Sequence, residues 1–207
     1  CATGQYQDNV GRSECIACPM GYYLDTPGND QLEDCIACVQ GTYVDATGSD
    51  EATDCIACAL GKYSPSVAQV SDSDCIDCPA GTYVDQVSSD ELSDCIDCVA
   101  GRYAEGIGNT VASDCIECAT GTYSTTPGAV SLAFCTVCPR GTWLGSTGND
   151  AASDCIECVA GKYQTQTGMS AATDCVDCAP GTWSSLTGRI AAGECIDCIV
   201  GTYSTVA

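Results

Sequence analysis

Cysteine, in Cys-x-x-Cys pairs, is the residue type in this chain with the most chemistry to offer. The pairs begin at Cys15/Cys18, Cys35/Cys38 and Cys55/Cys58 and run to Cys195/Cys198, one pair every 20 residues. Thiolates at this spacing could bind zinc, cycle between dithiol and disulfide, or form permanent crosslinks. A redox motif is a single site in a globular domain, and ten copies in a turn-rich chain do not fit that role. Zinc fits the spacing of two successive pairs, Cys-x-x-Cys-x16-Cys-x-x-Cys. Four-cysteine sites would, however, join repeats two by two and impose a 40-residue alternation, whereas the period is 20 residues. Zinc would also leave Cys1 without a role. The remaining chemistry is a disulfide ladder, the usual state of a long, cysteine-dense secreted chain.

Two ladders are open. Bridging within one Cys-x-x-Cys closes a small, strained ring. Joining the second cysteine of one pair to the first of the next gives Cys1–Cys15, Cys18–Cys35, Cys38–Cys55, Cys58–Cys75, Cys78–Cys95, Cys98–Cys115, Cys118–Cys135, Cys138–Cys155, Cys158–Cys175 and Cys178–Cys195. It leaves Cys198 unpaired in this stretch. The rival joins first to first and second to second, and strands Cys1. Each bridge of the first ladder closes a loop of roughly 18 residues, for about 3 kcal/mol in the chain-entropy model.

The elements that position these cysteines repeat with them. A glycine follows each second cysteine by three residues, from Gly21 to Gly201. An aromatic lies two further on, from Tyr23 to Tyr203, with Trp143 and Trp183 as variants. A polar loop follows, then an acid, Cys, Ile, any residue and Cys. A second glycine recurs in the loop at Gly28, Gly48, Gly108, Gly128, Gly148, Gly168 and Gly188, replaced by Ala68 and Ser88. It marks a turn with positive φ, and Thr-Pro-Gly at 26–28 and 126–128 strengthens that reading. No helical periodicity of useful length is present. The expectation is a small disulfide-rich tandem repeat, an elongated rod of ~20-residue loops with short β-hairpin pieces, essentially no helix and no globular core. Extended pairs are expected around each Gly-x-Tyr and before each acid-Cys. One tandem array, 1–207, divides into a short repeat 1–17, then 18–37, 38–57, 58–77, 78–97, 98–117, 118–137, 138–157, 158–177 and 178–197, with a partial repeat 198–207. The chain starts in mid-motif and stops in mid-loop, as expected of a stretch of a longer polypeptide.

The pattern Cys-x-x-Gly-x-Tyr, loop, Cys-x-x-Cys resembles the cysteine-rich repeats of ephrin-receptor-like ectodomains. It is also similar to the first disulfide loop of tumour-necrosis-factor-receptor modules. The resemblance implies that flanking cysteines close a loop around Gly-x-Tyr, as Cys18–Cys35 would around Gly21 and Tyr23. Receptors alternate module types. A monotonous array looks more like protist or algal surface proteins, including the shafts of flagellar hairs (mastigonemes) and other extracellular fibres.

Geometry and composition narrow the function. A bridge spans at most ~7 Å and a three-step spacer ~11 Å, so one repeat advances the chain by no more than about 18 Å, with the loops standing sideways from this spine. The chain has 28 Asp and Glu, six Lys and Arg and no His, for a net charge of −22. That excludes nucleic acid as a partner, and no stretch is apolar enough to insert in a membrane. No unique catalytic constellation exists, so enzymatic work is not expected. The reading is an extracellular or cell-surface structural segment of a filament or stalk that associates laterally with itself. Its Ser- and Thr-rich loops suit covalent O-glycans. The alternative is a receptor or adhesin ectodomain that binds a protein or glycan.

Three residue sets remain. Ile recurs at the first spacer position (16, 36, 56, 76, 96, 116, 156, 196, with Val176 and Thr136), either packed on the neighbouring repeat's aromatic or forming an apolar stripe. Acids precede the first cysteine at Glu14, Asp34, Asp54, Asp74, Asp94, Asp114, Asp154, Asp174 and Glu194. More lie in the spacer at Asp77, Asp97, Glu117, Glu157, Asp177 and Asp197. They read as a solvated face, with Ca²⁺ between repeats or chains as the alternative. Two acids per repeat fall short of a calcium shell, so no cofactor or metal site is assigned. Finally, Phe134 replaces the acid in one repeat, close to Arg140 and Trp143, which together form a candidate contact patch.

Overall fold

In the computed structural model, residues 1–200 are described; Gly201 and Tyr203, the last copies of the glycine and aromatic motif, lie outside the described residues. The described chain forms two compact units, residues 1–96 with 106–114, and residues 97–105 with the described residues from 115 onward. Secondary structure is minimal. Two-residue strands form antiparallel ribbons, and three-residue 3-10 turns precede the first cysteine of nearly every pair. The structure therefore corrects one expectation. The second strand of each ribbon is the spacer after the first cysteine, and the residues before that cysteine form a 3-10 turn.

Repeat 38–57 of the first unit shows how the parts are arranged. Strand Thr42–Tyr43 pairs with Ile56–Ala57, placing Tyr43 opposite Ile56. The bridge Cys38–Cys55 closes the same loop, with Cα atoms 5.7 Å apart. The 3-10 turn Ala52–Asp54 delivers Cys55 to it. Repeat 118–137 of the second unit repeats the plan: Thr122–Tyr123 pairs with Thr136–Val137 inside the Cys118–Cys135 loop.

Two residues of ribbon cannot hold a fold alone. Backbone hydrogen bonds between repeats supply the rest. Gly21 N–H donates to Val44 carbonyl oxygen (2.9 Å), Leu24 N–H to Ser49 (3.0 Å), Gly48 N–H back to Cys18 (2.9 Å) and Cys38 N–H back to Gly21 (2.9 Å). Tyr23 and Ser49 also form a parallel bridge. In the second unit the same four bonds join Gly121 to Leu144, Ser124 to Asn149, Gly148 to Cys118 and Cys138 to Gly121. The loops thus do not stand sideways. Each lies on the preceding repeat, because that is where its N–H and C=O groups find partners.

The first glycine is fixed by this stacking. Gly41 has φ +73°, and a Cβ there would overlap the carbonyl oxygen of Ser88, two repeats further on. The loop turns are left-handed as expected. Ala68 (φ 57°) and Ser88 (φ 60°) adopt that conformation without being glycine, a local strain that the surrounding bonds must hold.

What core exists consists of sulfur and one side chain per repeat. Cys18, Cys38, Cys58 and Cys78 are completely buried in the first unit, and Cys98, Cys118, Cys138 and Cys158 in the second. Beside them lies the residue after the aromatic: Leu24, Val44, Ser64, Val84, Ala104, Ser124, Leu144, Gln164 and Ser184, all buried.

Candidate functional site

The ladder is the repeated chemical feature. The structure holds the bridges Cys1–Cys15, Cys18–Cys35, Cys38–Cys55, Cys58–Cys75, Cys78–Cys95, Cys98–Cys115, Cys118–Cys135, Cys138–Cys155, Cys158–Cys175 and Cys178–Cys195. Cys198 carries a free, half-buried thiol. In the bridges from Cys18–Cys35 onward the second cysteine of a pair is the deeper partner, whereas Cys1 and Cys15 are both exposed. A reductant in solvent must therefore open the stack before it reaches that sulfur.

From Asp34 onward the acids before the first cysteine cap the turn instead of forming a solvated face, whereas Glu14 is exposed. Asp54 Oδ2 accepts the N–H groups of Asp50 (2.9 Å) and Glu51 (3.1 Å), which lead into the 3-10 turn. Asp74 accepts those of Val70 and Ser71, both at 3.0 Å. Asp114 does the same for Thr110 and Val111, and Asp174 for Ser170 and Ala171. A short carboxylate three residues after the turn's entry satisfies N–H groups that the turn itself leaves unpaired. Glu194 keeps the arrangement with one more methylene, accepting from Ile190 at 2.6 Å and Ala191 at 3.2 Å. The Ile190 N–H, then the Ala191 N–H and the Arg189 guanidinium, hold its carboxyl below the usual glutamate value against an opposing push from desolvation.

The spacer acids reach into neighbouring loops. Glu117 meets Arg102 across its ribbon and accepts from the Thr147 hydroxyl beside Gly148. Glu157 accepts from Thr187 beside Gly188, and Asp177 pairs with Lys162 at 2.7 Å. These pairs are partly exposed and worth little individually. Among the described residues, no three His, Cys, Asp or Glu side chains converge on a point where they could hold a metal ion.

Each spacer Ile faces the aromatic of its own repeat, not that of its neighbour: Ile36 lies opposite Tyr23, Ile76 opposite Tyr63 and Ile156 opposite Trp143. They remain 41–62 % exposed. Trp143 takes the ordinary aromatic place in its ribbon, half-buried and bridged to Met169. Phe134 ends the turn Leu132–Phe134 and is exposed, as is Arg140 in the connection that follows Cys138.

A family model described as tyrosine-protein kinase ephrin type A/B receptor-like matches residues 1–35, 28–75, 47–95 and 86–135, together more than half of the chain. The chain belongs to this ephrin-receptor-like family. The matches overlap along residues 1–135, and each spans more than one of the disulfide-closed ribbons. Among curated proteins, none matches the chain. Ten disulfides and a receptor-like repeat family suggest an extracellular or surface location. Among the described residues, no helix is long and apolar enough to cross a membrane.

The buried position after the aromatic escapes a reading for apolar residues, because Ser64, Ser124 and Gln164 occupy it as well as Leu24 and Val44. A subtler signal was available: no charged residue stands there in any copy.

Proposed function

We propose that this ephrin-receptor-like array is a structural segment of an extracellular filament or surface stalk. It associates laterally with further copies, carries O-glycans on its Ser- and Thr-rich loops and performs no catalytic step. The observation that carries this reading is the repetition of one backbone interlock, with its buried bridge, from repeat to repeat in each compact unit. Every part of that device bears on mechanical continuity. Tension along the chain is shared between a disulfide and four inter-repeat hydrogen bonds, and the polar edges that a short ribbon would expose are already paired.

Electron microscopy of negatively stained native material tests it. Fibres with a regular axial repeat are expected. Isolated particles that retain affinity for a separate ligand protein would instead assign the array to a receptor or adhesin.

A further inference from the structure

From Cys118 to Asn149 the chain contains no Asp or Glu, and Arg140 is the only charged residue there, in a protein whose net charge is −22. Within this stretch Val130, Leu132, Phe134 and Val137 are exposed at 43, 54, 41 and 52 %. Phe134 occupies the place of the capping acid. Val137 occupies the place held by Asp77, Asp97, Glu117, Glu157, Asp177 and Asp197 in other repeats. Of the six cations, Lys62, Arg102, Lys162 and Arg189 are each paired within the chain, whereas Arg12 and Arg140 are exposed and have no ion pair among the described residues; only Arg140 lies in this acid-free stretch.

We infer that residues 130–140 are the surface on which a second copy of this chain docks, patch against patch. The inference rests on the self-association proposed above and names where it occurs. Two copies of so acidic a chain repel wherever carboxylate faces carboxylate. This stretch is where they can approach without that cost, and contact there buries exposed apolar side chains from both copies. A two-fold contact is self-complementary: the apolar side chains meet their own counterparts, and Arg140 meets an exposed carboxylate such as Asp150 of the other copy.

Sedimentation velocity on the fully oxidised chain, over a concentration series at low and moderate salt, tests the inference. Phe134→Asp is the decisive variant, because it restores the capping acid and so keeps or raises the melting temperature while charging the patch. It is expected to weaken dimerisation at least about tenfold, as removal of a central anchor does. Arg140→Glu is expected to weaken it more at low salt than at moderate salt. Leu92→Asp, at the counterpart of Leu132 (55 against 54 % exposed) in an acid-bearing repeat, is expected to leave it unchanged. If Phe134→Asp dimerises like the parent, the patch is not the contact, although self-association stands. If the parent is monomeric throughout, self-association itself is overturned and the patch belongs to another partner.

Discussion

The loops closed at Cys55 and at Cys135 share one backbone and differ in the residue that should hold it. In the first, Asp54 caps the entry to the 3-10 turn Ala52–Asp54. In the second, Phe134 has no carboxylate to offer, yet the turn Leu132–Phe134 forms, and Cys135 N–H still donates to the Leu132 carbonyl at 2.9 Å. The cap is therefore an addition to a turn that other forces dictate. Those forces are the bridge on one side and the stacked neighbour on the other, both present in both loops. Local chemistry adjusts the stability of a repeat and its surface, while the ladder and the interlock fix its shape.

The largest effect that could break this comparison is loss of a bridge. Cys38→Ser with Cys55→Ser, and Cys118→Ser with Cys135→Ser, are each expected to lower unfolding free energy by about 3 kcal/mol or more in denaturant titration. If shape came from the cap, the first pair would be tolerated where the second is not. The account predicts comparable losses.

Next comes the stacking. Gly41→Ala places a methyl group on the Ser88 carbonyl oxygen, and no flexible side chain can yield. A loss of roughly 2–4 kcal/mol is expected, in the range for forced overpacking and backbone strain. Gly48→Ala meets only the Ala17 Cβ at 3.5 Å and an ordinary contact at 3.8 Å. It should cost only the left-handed strain, on the order of 1–2 kcal/mol. Equal losses from the two variants would remove the case for the interlock.

The cap sharpens the comparison at smaller scale. Asp54→Ala should cost on the order of 1 kcal/mol, and Phe134→Asp should return a similar amount, both read from thermal melts. A related gain is expected in the core. Ser64 Oγ is buried without a hydrogen-bond partner among the described residues. The equivalent places hold Val44 and Val84, so Ser64→Val should stabilise by about 1 kcal/mol.

The smallest effect concerns pH. Glu194 titrates below its ordinary value of 4.5 in the folded chain. A depressed carboxylate contributes stability that is present above the unfolded value and is lost as pH falls through the folded one. Glu194→Gln should therefore leave a shallower decline in melting temperature below about pH 4.5 and a lower plateau at neutral pH. An unchanged acid limb would show that the Ile190 bond does not hold the charge.

Much of this was legible in the period of the cysteines. The fold class, the short ribbons and the left-handed loop turn follow from spacing, from Gly-x-Tyr and from glycines such as Gly48. The interlock was not legible, because its partners are main-chain groups such as Gly21 N–H and Val44 C=O, which leave no mark on side-chain pattern. Asp54 was misread for a related reason. A carboxylate bonded to main-chain N–H looks, in sequence, like any exposed acid. Ile36 was placed on a neighbour because the spacer joins repeats, but its ribbon folds it back onto Tyr23.

The most direct test of the central claim is peptide mapping of the native, unreduced chain after blocking free thiols. The account predicts Cys38 linked to Cys55, Cys118 linked to Cys135, and label on Cys198 alone within residues 1–200. Cys35 linked to Cys38, a first-to-first ladder such as Cys35 to Cys55, or thiols released together with a metal ion would contradict it.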